Sequence, residues 1–286
     1  MKTLKLHKKL HKKLLATAAG LVAVGMASSA LAQPQFQVDP TTYYPSGTQF
    51  YATDMTGNSS ELLTMNGCGA GTLCMAGGST GWLNIASFSN SGPLGTLGNV
   101  NNITTAGLGA YNLYLTYNFI GTLTGGTMGQ PGSSYDVGSL TYSLYIDPGA
   151  ADTFNFASSA GSGTNASVTP GGTADILLGS GHVLPGGVAG IDSNFGAHLT
   201  STNTFALTPA GSAYFVDPVP FYNVAFDAFN NTSHAVTVNL TNGLVAINAA
   251  GTVNFGAVPV PEPETLALLG VGLLGMGASL RKRKAA

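Results

Sequence analysis

Leu140-Thr141-Tyr142-Ser143-Leu144-Tyr145-Ile146 decides the fold class. Leu140, Tyr142, Leu144 and Ile146 fall on one face of an extended chain, Thr141 and Ser143 on the other. A period of two is that of a half-buried strand. Leu113-Tyr114-Leu115-Thr116-Tyr117-Asn118-Phe119 behaves the same way, and Tyr222, Val224, Phe226 and Ala228 share one face of a further strand. Ala235 to Leu240, Leu244 to Asn248 and Thr252 to Phe255 read as a closing meander with a hairpin turn at Asn242-Gly243. Trp82 to Phe88 reads as another strand. Val38, Ile146 and Val216 are each followed by Asp-Pro. Asp can bond its own backbone in a turn and Pro cannot continue a ladder, so these dipeptides read as strand ends rather than as acidic active-site groups. The glycine-rich stretches Thr124 to Ser134 and Ala157 to Ala174 read as flexible loops. Short apolar runs punctuated by turn residues predict an all-β domain over residues 33–258, its sheets packed as a β-sandwich of jelly-roll or similar type.

Charge is distributed unusually. The chain has ten Lys and Arg. Six lie at Lys2, Lys5, Lys8, Lys9, Lys12 and Lys13 and four at residues 281–284, so none lies between Leu14 and Leu280. Of the twelve acids, Glu262 and Glu264 lie beyond Val260, which leaves ten in the β domain: nine Asp and Glu61. The domain's only basic side chains are His182, His198 and His234. Nucleic-acid binding needs Lys or Arg to replace phosphate counterions, so that class is excluded. A P-loop or an arginine clamp is excluded on the same ground. Packing, backbone ladders and hydroxyl and amide hydrogen bonds must hold the fold without Lys or Arg ion pairs. The acidic surface could attract divalent cations, but there is no D-x-[DN]-x-[DN]-G loop.

The two ends of the sequence carry a different kind of information. A lysine-rich start, an apolar run from Leu14 to Ala27 and Ala30-Leu31-Ala32 before Gln33 form a secretion signal. Residues 1–32 are expected to be removed by signal peptidase between Ala32 and Gln33. At the other end Pro261-Glu262-Pro263 precedes an apolar run from Thr265 to Leu280, then Arg281, Lys282, Arg283 and Lys284. A helix over 265–280 spans roughly 24 Å, a little short of the ~30 Å hydrocarbon core of a bilayer. The basic cluster would stay cytoplasmic, placing the preceding domain outside. Residues 259–286 therefore read as a segment that lodges in the inner membrane. Both ends predict the same topology. Pro-Glu-Pro, a short helix and a basic cluster resemble the PEP-CTERM sorting signal. The resemblance implies an exosortase as partner, a membrane transpeptidase-like protease of Gram-negative bacteria that make exopolysaccharide. It would remove the tail near Pro-Glu-Pro and leave the mature protein without its transmembrane helix.

Residues with chemistry are few. Cys68 and Cys74 are the only cysteines; across a small glycine-rich loop in an oxidising compartment they read as a disulfide. Two sulfurs do not make a structural zinc site. Gly77-Gly78-Ser79-Thr80-Gly81 fits G-x-S-x-G, but a strand follows where a nucleophile elbow needs a helix. The histidines are dispersed, and nothing selects a pair of carboxylates for glycoside cleavage. No catalytic residue, metal ligand or cofactor is assigned, and the chain reads as a non-enzyme.

Four blocks resemble the flocculation-associated PEP-CTERM proteins: residues 50–61 (FYATDMTGNSSE), 109–114 (GAYNLY), 138–147 (GSLTYSLYID) and 215–222 (FVDPVPFY). That resemblance implies a cell-surface role in floc or biofilm formation with exopolysaccharide, and it brings no catalytic residues. Two other classes stay open: a secreted hydrolase of matrix polysaccharide, and an adhesive subunit that binds its own copies.

Overall fold

A computed structural model describes residues 34–65, 73–75, 81–92, 94, 110–230 and 236–256. Its strands in chain order are β1 (Phe36–Val38), β2 (Phe50–Ala52), β3 (Asp54–Thr64), β4 (Leu73–Met75), β5 (Gly81–Ser89), β6 (Tyr111–Gly125) and β7 (Ser134–Pro148). There follow β8 (Thr153–Asn155), β9 (Ser167–Thr169), β10 (Ile176–His182), β11 (Val188–Ile191), β12 (Ala197–Thr204) and β13 (Ala206–Leu207). After a short helix, α1 (Pro209–Tyr214), come β14 (Phe215–Asp217), β15 (Val224–Asn230), β16 (Val236–Asn239) and β17 (Leu244–Gly256). The all-β expectation holds. Leu140, Tyr142, Leu144 and Ile146 are all buried on β7, as their alternation requires.

The pairing closes on itself. β3 pairs β5, β5 pairs β6, β6 pairs β7, β7 pairs β11, β11 pairs β12, β12 pairs β15, β15 pairs β17, and β17 returns to β3, every step antiparallel. β10 lies along β7 over Thr141–Ile146, ahead of β11, which takes Ser134–Asp136, so the two are one interrupted strand. β16 continues β15 along β17 in the same way. Each neighbour in the ring is also the next ring strand in sequence. A jelly roll needs Greek-key connections between strands distant in sequence. The connectivity here is that of an up-and-down ring, and the expected jelly-roll sandwich is corrected to it. Closure satisfies the N–H and C=O groups that edge strands would leave unpaired.

The interior follows from the parity of each strand. Leu113, Leu115, Tyr117 and Phe119 of β6, the Leu140 set of β7, and Val253 and Phe255 of β17 join one apolar core. Outward positions on these strands and on β12 carry Asn112, Thr116, Asn118, Thr141, Ser143, Thr200, Thr202 and Thr252. This is the reverse of the apolar-out pattern of a membrane-spanning barrel. Two details differ from the sequence reading. β17 runs unbroken through Ala249-Ala250-Gly251, because the small residues pair with Ser59, Asn58 and Gly57 of β3 rather than ending the ladder. On β15 it is Ala225, opposite Phe255, that enters the core.

One end of the ring is capped. A small sheet ordered β14-β1-β2 lies over it with α1, and its Phe36, Val38, Phe50 and Phe215 belong to the barrel core. Phe255 is the centre of an aromatic cluster, with ring centroids of Phe36, Phe205, Phe215 and Phe221 at 5.2, 4.7, 5.6 and 5.1 Å. The hydroxyls of Tyr111 and Tyr214 hydrogen bond to each other at 2.9 Å inside this cap. Of the stretch Thr124 to Ser134, residues 126–133 form the turn between β6 and β7, and its two ends belong to the strands. The stretch expected as a loop at 157–174 belongs to an excursion between β7 and β10 that carries the β8–β9 hairpin and lies on the outer wall. There it covers Trp82, whose Nε1 donates to the Asn155 carbonyl at 2.9 Å and whose ring meets Phe154 and Phe156. Among the described residues no helix is long and apolar enough to cross a membrane; the expected span 265–280 lies outside them.

Candidate functional site

At the end of the barrel opposite the cap the inward residues become smaller and more polar. On β3 the core parity runs Met55, Gly57, Ser59, Glu61, Leu63, facing Val253, Gly251, Ala249, Ile247 and Val245 of β17. Bulky pairs thus give way to Ser59 against Ala249. The result is a cavity of about 70 Å³ reached from this end. Glu61, Tyr117, Phe119, Met128, Tyr135 and Leu199 are among its lining. Tyr117 lies inward because Gly81 is its partner across β5 and β6: a Cβ there would come within 2.4 Å of the ring. The turn after β6 folds over the mouth. Its Gly129 N–H donates to the Tyr135 hydroxyl at 2.9 Å, and a Cβ on Gly129 would lie 2.8 Å from Met65 Sδ.

Glu61 is the lone carboxylate of this lining. It is half-buried by accessible surface. Burial pushes its pKa up to about 7, and a hydrogen bond with Tyr117 opposes the shift only in part. No Lys or Arg lies between Leu14 and Leu280 to neutralise it. Below neutral pH the group is a carboxylic acid that can donate a hydrogen bond in an apolar setting. Paired-carboxylate glycoside cleavage needs a second acid across the scissile bond, and this cavity lining supplies none. Sequence reading missed Glu61 because small residues at 57 and 59 hide the core face of β3. The available signal was its parity with Met55 and Leu63.

The residues singled out from sequence do not converge. Ala30, Ala32 and Gln33, Pro261, Glu262 and Pro263, and Arg281, Lys282, Arg283 and Lys284 lie outside the described residues, as do Cys68, Ser79 and His234. Cys74 is on β4, its backbone paired with Gly121. Gly81, the last residue of G-x-S-x-G, opens strand β5 and serves as the seat of the Tyr117 ring. His182 ends β10 beside Thr204, with Nδ1 3.0 Å from its hydroxyl, whereas His198 sits opposite Gly190 on β12. Of the Asp-Pro pairs, Asp39 acts as read, capping a turn by accepting from the Thr41 N–H at 3.0 Å, and Asp217 ends β14. Asp147 also acts as read, since β7 ends at Pro148 and Asp147 Oδ2 accepts from the Asp152 N–H at 2.9 Å across the turn; it is 0% exposed, on the wall of the barrel. Among the aromatic residues whose burial is described, Phe156, at 53%, is the exposed one.

The sequence model of the PEP-CTERM protein-sorting motif matches residues 259–284. No curated protein and no solved structure matches the chain. The match covers Pro261-Glu262-Pro263, the apolar run and the basic cluster. It implies export, membrane transit, processing by an exosortase and a cell-surface destination.

Proposed function

We propose that this chain is a non-enzymatic, matrix-associated surface protein that promotes cell aggregation, as floc or biofilm, with exopolysaccharide. The sorting motif at 259–284 carries the proposal, since it supports delivery of the β domain to the cell surface, and the resemblance to exosortase substrates implies a cell that makes such polymer. The four blocks resembling flocculation-associated proteins point the same way. All four supply structural parts: residues 50–61 build β2 and most of β3, Tyr111–Tyr114 open β6, 138–147 form most of β7, and 215–222 hold β14 and the Phe215 and Phe221 rings of the cap. The outer wall supports contact with a neutral or hydroxyl-rich polymer through its Thr, Ser and Asn side chains. With no Lys or Arg in the domain, attraction to a polyanion has no source there. Signal peptidase acts before Gln33. The inner membrane then holds the precursor through residues 265–280 until the tail is cut. A disulfide between Cys68 and Cys74 closes the loop before β5.

The test is settling of a gene-deletion strain complemented with the full chain or with a chain ending before Pro261. Dispersed cells that still secrete polymer, restored to flocs only by the full chain, are the expected result. Normal flocculation of the deletion strain would overturn the proposal. Release of reducing sugars from the purified polymer by the protein would replace it with the hydrolase reading. Concentration-dependent assembly without polymer would replace it with the self-associating adhesive subunit.

A further inference from the structure

We infer that Asp147, Asp152 and Asp175 form a calcium site that pins both ends of the 149–175 excursion to the barrel wall. One carboxylate oxygen from each of the three lies within 4.8 Å of the others. Oxygens on opposite sides of a calcium ion, each about 2.4 Å from it, are about 4.8 Å apart. Asp147 and Asp152 flank one tight turn, and Asp175 comes from the far end of the excursion. Asp147 is near the end of β7, Asp152 follows the tight turn at Gly149 and Ala150, and Asp175 immediately precedes β10.

The same arrangement occurs at each carboxylate. Asp147 Oδ2 accepts from Asn112 Nδ2 at 3.1 Å and from the Asp152 N–H at 2.9 Å. Asp152 Oδ1 accepts from the Gly171 N–H at 2.8 Å, and Asp175 Oδ2 from the Tyr114 hydroxyl at 2.7 Å. The second oxygen of each, Asp147 Oδ1, Asp152 Oδ2 and Asp175 Oδ1, is buried and has no hydrogen-bond partner. Each side chain is thus fixed through one oxygen and presents the other, as metal ligands held by a supporting shell do. Asp147 is wholly buried, so its bare oxygen has no recourse to bulk water.

A cation would balance the charge of the three carboxylates. Unpaired carboxylates in a buried setting are costly, and no Lys or Arg exists in the domain to pair with them. The donors are all oxygen, with no imidazole or thiolate, which selects a hard cation over zinc or copper. Calcium accepts such a set with waters completing six to eight ligands, whereas magnesium demands shorter, near-octahedral geometry. The ion would brace a crowded joint: a Cβ on Gly171 would lie 2.2 Å from the Ala151 carbonyl oxygen.

The experiment uses the processed protein from culture, stripped with chelator. Tyr114, bonded to Asp175, is placed to sensitise terbium luminescence. Terbium emission on tyrosine excitation, displaced by calcium at a tenfold or greater advantage over magnesium, is expected. Melting should rise by about 5 °C or more at calcium a hundredfold above its Kd. Asp175→Asn, nearer the surface, should lose at least tenfold in both responses, and Asp147→Asn should abolish them if it folds. Glu61→Gln, in the cavity, should leave them unchanged. Absence of sensitised emission and of any calcium-dependent melting shift in the natural protein would overturn the site. So would retention of both responses in Asp175→Asn. Equal displacement by magnesium would overturn the choice of calcium.

Discussion

The two ends of the barrel are built from the same strands and differ in what those strands point inward. Beneath the cap, β3 and β17 oppose Met55 to Val253, and Phe255 is ringed by Phe36, Phe205, Phe215 and Phe221. Toward the other mouth the same two strands oppose Ser59 to Ala249 and Glu61 to Ile247, and a cavity opens. An eight-stranded barrel is just wide enough either to be filled by side chains or to hold one small ligand. This barrel does the first at one end and leaves room for the second at the other. The closed end supplies stability, which tolerates a buried acid and a void at the open one.

The largest expected effect falls on the capped end. Phe255→Ala removes the ring around which four others pack and should cost about 3–5 kcal/mol, read by denaturant unfolding; a loss no larger than that of Phe119→Ala would erase the distinction between the ends. Next is Glu61. Its folded pKa of about 7 lies above the ordinary 4.5, so the folded state holds the proton more tightly. Stability therefore falls as pH rises from about 4.5 through 7 and levels off above, by roughly 3 kcal/mol in all. Glu61→Gln should flatten that slope and raise the melting temperature at pH 8. A natural protein whose stability is unchanged over this window would show that Glu61 is solvated. The smallest effect belongs to Gly81→Ala, whose Cβ would press on the Tyr117 ring. About 1–3 kcal/mol is expected, and the same variant paired with Tyr117→Phe should be no better, because the clash is with the ring; rescue by Tyr117→Ala would confirm the contact.

The sequence made the strands legible and left their closure hidden. The alternation in Leu140 to Ile146 places each side chain on its face, and Asn242-Gly243 marks the last turn, where Gly243 takes φ 61°. Periodicity states which face is buried, not which strand lies beside it. The joint that closes the ring pairs Leu244 with Thr64 and Asn254 with Asp54, contacts that no local pattern encodes. Ala249-Ala250-Gly251 looked like a break because small residues weaken a strand signal; here Ala249 lines the cavity. The acids were hidden in two ways. Glu61 sat among small residues, and Asp147 carried the Asp-Pro signature of a turn while Asp152 and Asp175 reach it only through the excursion between β7 and β10.

Delivery to the surface is tested most directly by the intact mass of the protein recovered from the cell surface or medium. A species beginning at Gln33 and ending close to Pro261-Glu262-Pro263, without the apolar run 265–280 or the basic cluster, is the expected result. A surface species that retains residues 265–286 would contradict processing by an exosortase and leave the chain a permanently anchored barrel.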